Sequence, residues 1–283
     1  MKIKHFDIKR NGITWHQCSR GNAYSLSTAT QLETERFQAN ARGILSEREF
    51  EVDCFLSILQ EIKKKEIVLV ELGAGWGEWG LALAGVITHK IISITATKYS
   101  CLAVEGNPFY CQAMKENFAR QEINCEVENG AISNHDGNCK FDILNTDGAI
   151  AFDKVGSSAI LGLCFGTLSA MRKKTIEVPR YRLGTVLGKH QLKHIDILHM
   201  DIQGSEVRTI EGGLSFVNRN TIDYIMIGTH CKATNSKLKY LLRNRYELVI
   251  NTLPGKPFSC NGTPFVDFRK GQDGLQIYRR RNL

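Results

Sequence analysis

The segment IVLVELGAGWG at residues 67–77 constrains the fold of this chain more than any other feature. Its first six residues are apolar except for one glutamate, as in a strand that is buried on both faces of a sheet. The strand then ends in Gly73, Gly75 and Gly77, whose alternate spacing lets the backbone approach a bulky ligand. A tight turn that binds nothing is the alternative explanation when the glycines are considered alone.

The acidic residues around this loop favour a positively charged nucleoside cofactor over a dinucleotide. A dinucleotide fingerprint would place glycine at position 78, which is Glu78 in this chain. Glu71 also disfavours a nearby pyrophosphate, whereas it attracts the ammonium and sulfonium groups of S-adenosylmethionine, which has no phosphate. The second strand ends at Glu105, whose carboxylate can accept hydrogen bonds from both ribose hydroxyls. We therefore predict that S-adenosylmethionine is the cofactor.

The next strand ends extend the predicted cofactor site. Asn107 follows Glu105 closely, and Asn129 and Ala131 lie at the exit of the third strand, where the adenine would be. The predicted cofactor-binding residues are therefore Glu71, Gly73, Gly75, Gly77, Glu105, Asn107, Asn129 and Ala131.

Strands and helices alternate along most of the chain. Apolar residues recur at helical spacing over residues 46–64, and apolar strands are predicted at 195–201 and 222–230. The segments YELVINT (246–252) and GLQIYRR (274–280) predict a closing antiparallel pair. This alternation indicates an α/β fold with a seven-stranded, mostly parallel sheet, an antiparallel last strand and helices on both faces.

Composition narrows the class of protein further. The first ten residues are charged and lack the apolar core of a secretory signal, and the longest uncharged stretch, 155–171, is too short and too polar for a membrane span. The nine cysteines include no CxxC pair, which argues against a zinc ribbon and fits reduced thiols. We therefore expect a soluble cytoplasmic protein without a membrane partner. Its oligomeric state stays open.

The stretch IDILHMDIQGSEVRTIEGG at 195–213 resembles the FkbM family of methyltransferases, which has a strand ending in Asp, then Gly and Glu, then an apolar helix. The segments at 104–108 and 128–133 are similar to that family's second and third strand ends, and Ser157-Ser158 is similar to its serine-containing loop. The likeness covers about residues 65–252. Its matching residues in the first stretch are Asp201, Gly204, Glu206, Val207, Ile210 and Gly212.

This resemblance implies a Rossmann-like class I methyltransferase fold and O-methylation of a hydroxyl on a sugar, a glycan or another small natural product. Residues 46–283 would form the methyltransferase domain, preceded by a lead-in or small cap at 1–45. One departure bears on the substrate. The family usually has a carboxylate just before a histidine at the end of the fifth strand, where this chain has Gly228.

Three residues are the candidates for catalysis. Asp201 and His230 follow neighbouring strands at the sheet edge where open α/β sheets bind ligands, and Glu206 follows shortly after Asp201. An imidazole with an ordinary pKa of about 6.5 suits a general base, with Asp201 as its orienting partner, as a base itself or as a ligand for a divalent cation. The structural alternatives are a helix N-cap for Asp201, a first-turn dipole partner for Glu206 and a core histidine for His230.

Two functional questions stay open at this level. A divalent cation is possible, but two ligands are too few to predict a metal site. The net charge of +8 favours an anionic partner and keeps an RNA or protein substrate as an alternative to a small-molecule or glycan acceptor, with nucleic acid ranked lower. A cofactor-binding scaffold that has lost its catalytic centre is the alternative without enzyme activity.

Overall fold

The computed structural model describes residues 44–45, 47–90, 92–120, 122–144, 149–150, 173–217, 219, 221–254, 265–266 and 273–281. The strands in these ranges are β1 (Ile44–Leu45), β2 (Glu66–Leu72), β3 (Lys98–Glu105), β4 (Cys125–Asn129), β5 (Ala131–Ser133), β6 (Gly137–Leu144), β7 (Ala149–Ile150), β8 (Lys173–Arg182), β9 (Ile195–Met200), β10 (Ile222–Thr229), β11 (Tyr246–Asn251), β12 (Phe265–Val266) and β13 (Gly274–Arg280). The helices are α1 (Glu47–Glu61), α2 (Glu78–His89), α3 (Pro108–Arg120), α4 (Leu183–Lys189), α5 (Glu206–Val217) and α6 (Lys232–Leu242).

The largest sheet has seven strands in the order β11–β13–β10–β9–β2–β3–β4. Its strands β10, β9, β2, β3 and β4 pair in parallel, while β13 lies antiparallel between β10 and β11. The predicted mostly parallel sheet with an antiparallel last strand is therefore confirmed. A four-stranded sheet, β5–β8–β6–β7, and the pair β1–β12 complete the described strands.

The large sheet is covered by apolar side chains on both faces. The buried side chains form two apolar clusters, one on each face of the sheet. In strand β2, Ile67 and Leu69 belong to the first cluster, and Val70 and Leu72 belong to the second. Helices α1, α2 and α3 contribute to the first cluster, and helices α4, α5 and α6 contribute to the second. This burial on both faces explains why β2 and β9 are almost continuously apolar. Polar side chains that bind ligands are therefore expected at the ends of these strands.

Helix α5 contains two consecutive glycines. A glycine pair is typical of a helix end, but this helix continues past Gly212 and Gly213 to Val217. Both glycines allow close packing instead, since an added Cβ would lie 2.5 Å from the Cα of Asn134 at the first and 2.9 Å from Leu183 at the second. Tertiary contacts therefore explain these glycines.

Several sequence predictions fall outside the described ranges. Most of the expected lead-in at 1–45, the stretch 155–171 and the Ser157-Ser158 loop lie there. None of the helices in the described part of the chain has the length and apolar character needed to cross a bilayer.

Candidate active site

The glycine loop after β2 is held between the ends of β3 and β9. The backbone N–H groups of Gly73 and Ala74 donate to the carbonyl of Val104 at 2.9 and 3.1 Å. Gly73 has a φ of +74°, and an added Cβ would lie 2.1 Å from the carbonyl oxygen of Asp201, so this position requires glycine. At Gly75, in contrast, an added Cβ would meet no atom of the described residues within 4 Å. The loop is tightly packed at its base and open at Gly75, as a ligand cradle requires.

Glu105 lies under this opening, as the sequence predicted. Its carboxylate accepts hydrogen bonds from the backbone N–H of Gly75 at 2.8 Å and of Asn107 at 2.7 Å. Burial raises the pKa of Glu105, and the backbone donors of Asn107 and Gly75 partly offset that rise. The side chain joins the end of β3 to the glycine loop, so a carboxylate stands beside the open position at Gly75.

Glu71 contacts the start of α2. It is 2% exposed, and its two carboxylate oxygens accept from the backbone N–H of Trp79 at 3.3 Å and of Gly80 at 3.1 Å. These donors belong to the first turn of α2, whose N-cap residue Gly77 provides no side-chain cap. A carboxylate there satisfies free N–H groups and opposes the helix dipole. A contact of Glu71 with the cofactor's ammonium group stays a prediction.

The remaining predicted cofactor residues are Asn107, Asn129 and Ala131, and the two asparagines form hydrogen bonds with backbone groups. The side-chain oxygen of Asn107 accepts from a backbone N–H in the first turn of α3 at 3.0 Å, as a helix cap does. The amide of Asn129 donates at 2.9 and 3.1 Å to two carbonyls in the turn after β3, one of them that of Glu105. Ala131 is buried in the small cluster under the second sheet. Contacts of these three residues with a cofactor stay predictions.

The three predicted catalytic residues meet at the same edge of the sheet. The Nε2 atom of His230 lies 3.2 Å from Asp201 Oδ1 and 3.2 Å from Glu206 Oε1. The Asp201 side chain is 42% exposed, whereas that of His230 is 9% exposed and that of Glu206 is fully buried. Gln203 adds a donor to Asp201 Oδ1 at 3.0 Å. Asp201 is therefore the member of this group that a substrate can most easily reach.

The contacts of Asp201, Glu206 and His230 bear on their alternative structural roles. Asp201 does not cap α5, because that helix begins five positions later at Glu206. The carboxylate of Glu206 accepts from the backbone N–H of Ile202 at 3.2 Å and of Gly204 at 3.0 and 3.1 Å. It therefore organises the turn after β9 as well as contacting His230. His230 is nearly buried and has partners at both ring nitrogens, as a core histidine would. The same contacts also join it to the other predicted catalytic residues.

A fourth residue of the group, Asp273, was not predicted. Its Oδ1 atom lies 2.7 Å from His230 Nδ1, on the side of the ring opposite Asp201. Asp273 immediately precedes β13, which pairs antiparallel with β10. The Asp-Gly dipeptide before the predicted last strand was the only local signal, and it indicates a turn as readily as a site. The pairing of β13 with β10 is what brings this side chain to the imidazole.

Three carboxylates around one imidazole change the expected protonation of His230. Burial lowers the pKa of His230, but hydrogen bonds to Asp201, Asp273 and Glu206 raise it much more, so the pKa lies far above its ordinary value. The side chain is an imidazolium at neutral pH. The prediction that His230 is a neutral general base with an ordinary pKa is therefore wrong, and the proton acceptor has to be sought among its carboxylate partners.

The same group has the spacing of a cation site. Single ligand atoms of Asp201, His230 and Asp273 lie within 4.8 Å of one another. Both nitrogens of this imidazole, however, lie at hydrogen-bond distance from carboxylate oxygens. Both ring nitrogens therefore contact carboxylates in this structure, and the question of a divalent cation at this group stays open.

A second group with cation-site spacing lies at the opposite end of the sheet. It consists of His194, Asp196 and Asp223. Lys64 forms ion pairs with both aspartates, and Arg280 donates to Asp223 at 2.8 Å. These cations satisfy the carboxylates, so the group is a structural ion cluster that joins the loop after α1 to β9, β10 and β13.

The chain is similar in sequence to known methyltransferases. The sequence model for the "Methyltransferase FkbM domain" matches residues 86–247, which is more than half of the chain. A protein of Jannaschia sp. (strain CCS1), named "Putative methyltransferase", is 29% identical over 220 residues that cover 75% of this chain and 71% of that protein.

The chain is also similar to solved structures at low sequence identity. The METTL16 MTase domain has a TM-score of 0.45 and 11% identity, covering 96% of this chain and 87% of that one. An rRNA methylase from Streptococcus thermophilus has a TM-score of 0.41 and 12% identity, covering 82% and 95%.

Proposed function

The chain belongs to the FkbM methyltransferase family, and we propose that it transfers a methyl group from S-adenosylmethionine to a hydroxyl of a sugar, glycan or other small natural product. The observation that carries this proposal is the exposed carboxylate of Asp201 beside the glycine loop. Gly73, at the base of that loop, packs directly against the backbone of Asp201. A group bound over the loop and an acceptor at Asp201 would therefore be neighbours.

The residues of the glycine loop and Glu105 fit the proposed cofactor. Gly75 opens onto space that a side chain would fill, and the Glu105 carboxylate next to it can accept hydrogen bonds from ribose hydroxyls. When bound, S-adenosylmethionine supplies an electrophilic methyl group on a sulfonium that becomes a neutral thioether once the methyl has passed to oxygen. The protein's remaining tasks are to orient the acceptor and to take its proton.

Asp201 is the proposed proton acceptor. A hydroxyl needs to lose its proton as the new bond to carbon forms, and a carboxylate within reach of the acceptor can take that proton. The Nε2 atom of His230 lies at ion-pair distance, 3.2 Å, from Asp201 Oδ1, and Gln203 donates a hydrogen bond to the same oxygen. These two contacts hold the carboxylate in place. Glu206 is fully buried and bound by backbone N–H groups, so we assign it to holding the turn and His230 in place.

An acceptor screen tests the proposal. Nucleotide sugars, oligosaccharides and RNA would be incubated with methyl-labelled S-adenosylmethionine at two salt concentrations, and the labelled atom would be identified. We expect label on a hydroxyl of a small molecule and only a mild dependence on salt. RNA is the main competing acceptor because the formal net charge is +8, and counterion release would then make affinity fall steeply as salt rises. Label on a base of RNA with such a slope would refute the proposed acceptor.

The same screen tests the alternative that the protein binds the cofactor but has lost its catalytic activity. Binding of S-adenosylhomocysteine, seen as thermal stabilisation, together with no transfer to any acceptor class would favour a cofactor-binding scaffold. The same stabilisation together with transfer to a hydroxyl would exclude it.

A further inference from the structure

Asp273 makes the shortest of the three carboxylate contacts with His230. The Nδ1–Oδ1 distance is 2.7 Å, whereas Asp201 and Glu206 each lie 3.2 Å from Nε2. Asp273 belongs to a different part of the chain from the other two, so the ring is held from both of its nitrogens by separate elements. An imidazole with a partner at only one nitrogen can turn about its side-chain bonds, and the second partner removes that freedom.

The start of β13 is built to bring this carboxylate close. In the antiparallel register Gly274 pairs with Thr229, so the next positions outward are Asp273 and His230. An added Cβ on Gly274 would lie 2.7 Å from Thr229 Oγ1 and 2.8 Å from the carbonyl oxygen of Thr252. Only glycine allows the strand to begin this close to β10. Gly274 thus allows β13 to lie close to β10 at this point, and Asp273 contacts the imidazole.

We propose that Asp273 is a positioning residue for methyl transfer, which holds the His230 ring so that its Nε2 atom faces Asp201, the proposed proton acceptor. This inference rests on the proposed function. Asp273 contacts the ring at Nδ1, on the side away from Asp201, so it acts through His230. Within the part of the chain that the structure describes, the charged groups that face the imidazole are Asp201 after β9, Glu206 at the start of α5 and Asp273 before β13.

Three variants separate positioning from general stability. Asp273→Asn keeps the shape of the side chain but removes its charge, and Asp273→Glu restores the charge on a longer side chain. Glu247→Gln on β11 is the matched control, because its carboxylate pairs with Arg279, lies on the neighbouring strand and contacts nothing in the site. Far-ultraviolet circular dichroism and thermal unfolding would establish that all three variants fold.

The first readout does not require activity. Histidine ring resonances of isotope-labelled protein would be followed by NMR over pH, and His230 would be assigned with the His230→Gln variant. We expect the His230 midpoint to fall in Asp273→Asn, to return toward the wild-type value in Asp273→Glu, and to stay unchanged in Glu247→Gln. An unchanged midpoint in folded Asp273→Asn would overturn the proposal.

The second readout is the kinetics of methyl transfer. We expect kcat in Asp273→Asn to fall by up to about 100-fold, as for misplaced catalytic groups, with KM for S-adenosylmethionine unchanged and with partial recovery in Asp273→Glu. An unchanged kcat in Asp273→Asn would also overturn the proposal. If the His230 midpoint shifts as expected but the wild type transfers no methyl group to any hydroxyl, the proposed function fails while the contact of Asp273 with the imidazole stands.

Discussion

Replacing His230 by glutamine should make the stability of the protein depend on pH in a way that the structure predicts. Glutamine keeps a hydrogen-bonding amide of similar size but cannot carry the charge that the three carboxylates surround. The contact with fully buried Glu206 should dominate the loss, since breaking a buried ion pair costs about 3–5 kcal/mol. Asp201 and Asp273 are 42% and 36% exposed, and solvent reduces such contacts to about 0.2–1 kcal/mol each.

These contacts determine how much free energy of unfolding His230→Gln loses and how that loss changes with pH. Because the amide of glutamine retains a hydrogen bond worth about 1 kcal/mol, we expect a net loss of about 3 kcal/mol in the free energy of unfolding at pH 6.5. The folded-state pKa of His230 lies above the unfolded value of about 6.5. The imidazolium's contribution is therefore complete below pH 6.5 and is lost as pH rises toward the folded-state pKa. The wild type's advantage should shrink by up to about 1.4 kcal/mol per pH unit.

Urea denaturation at pH 6.5, 7.5 and 8.5 measures this difference. His135→Gln is the matched control, because its imidazole is exposed and contacts Asn134 rather than a carboxylate. We expect the gap between wild type and His230→Gln to narrow steadily over this range, and the small effect of His135→Gln to show no such trend. A gap of constant size would refute the reasoning, since it would mean that His230 is not held as an imidazolium.

Further predictions concern the cofactor loop and the metal question. Glu105→Ala should weaken S-adenosylmethionine binding by about 1.5–3 kcal/mol, and unchanged affinity by calorimetry in a folded variant would remove Glu105 from the site. Gly75→Val should abolish binding because its side chain would enter the open space over the loop, whereas binding at wild-type affinity would contradict the loop assignment. Gly73→Ala should instead lower stability, since its Cβ would lie 2.1 Å from a backbone oxygen, and an unchanged melting temperature would argue against the packing described. Activity should survive a chelator, and loss of activity that Mg²⁺ restores would show that Asp201 holds a metal ion.

Much of the fold and part of the site could be predicted because they depend on local patterns. The apolar runs at β2, β9 and β10 indicated a sheet covered on both faces, and the carboxyl ends of parallel strands meet at one edge. Glu105, Asp201 and His230 were therefore correctly expected to lie at one edge of the sheet. The confirmed antiparallel last strand also followed from a local pattern, the two predicted strands near the end of the chain.

The errors have a common physical origin. A carboxylate or an amide near a strand end can serve a ligand or the free N–H groups of the following helix, and the sequence does not distinguish the two. Glu71 and Asn107 each accept from backbone N–H groups of the helix that follows, and their contacts with a cofactor stay predictions. Asp273 was missed because its place beside His230 depends on the pairing of strands distant in sequence. The protonation of His230 was wrongly predicted for the same reason, since it depends on three carboxylates from three elements.

The most direct test of the account is the single-turnover rate of methyl transfer by Asp201→Asn, measured with the hydroxyl acceptor that the screen identifies. Asparagine keeps the shape of the side chain but cannot take a proton at neutral pH. We predict a rate lower by about 10²- to 10⁴-fold, the range that general bases contribute, with unchanged affinity for S-adenosylmethionine. A wild-type rate in a folded Asp201→Asn variant that binds the cofactor normally would contradict the assignment of Asp201 as the proton acceptor.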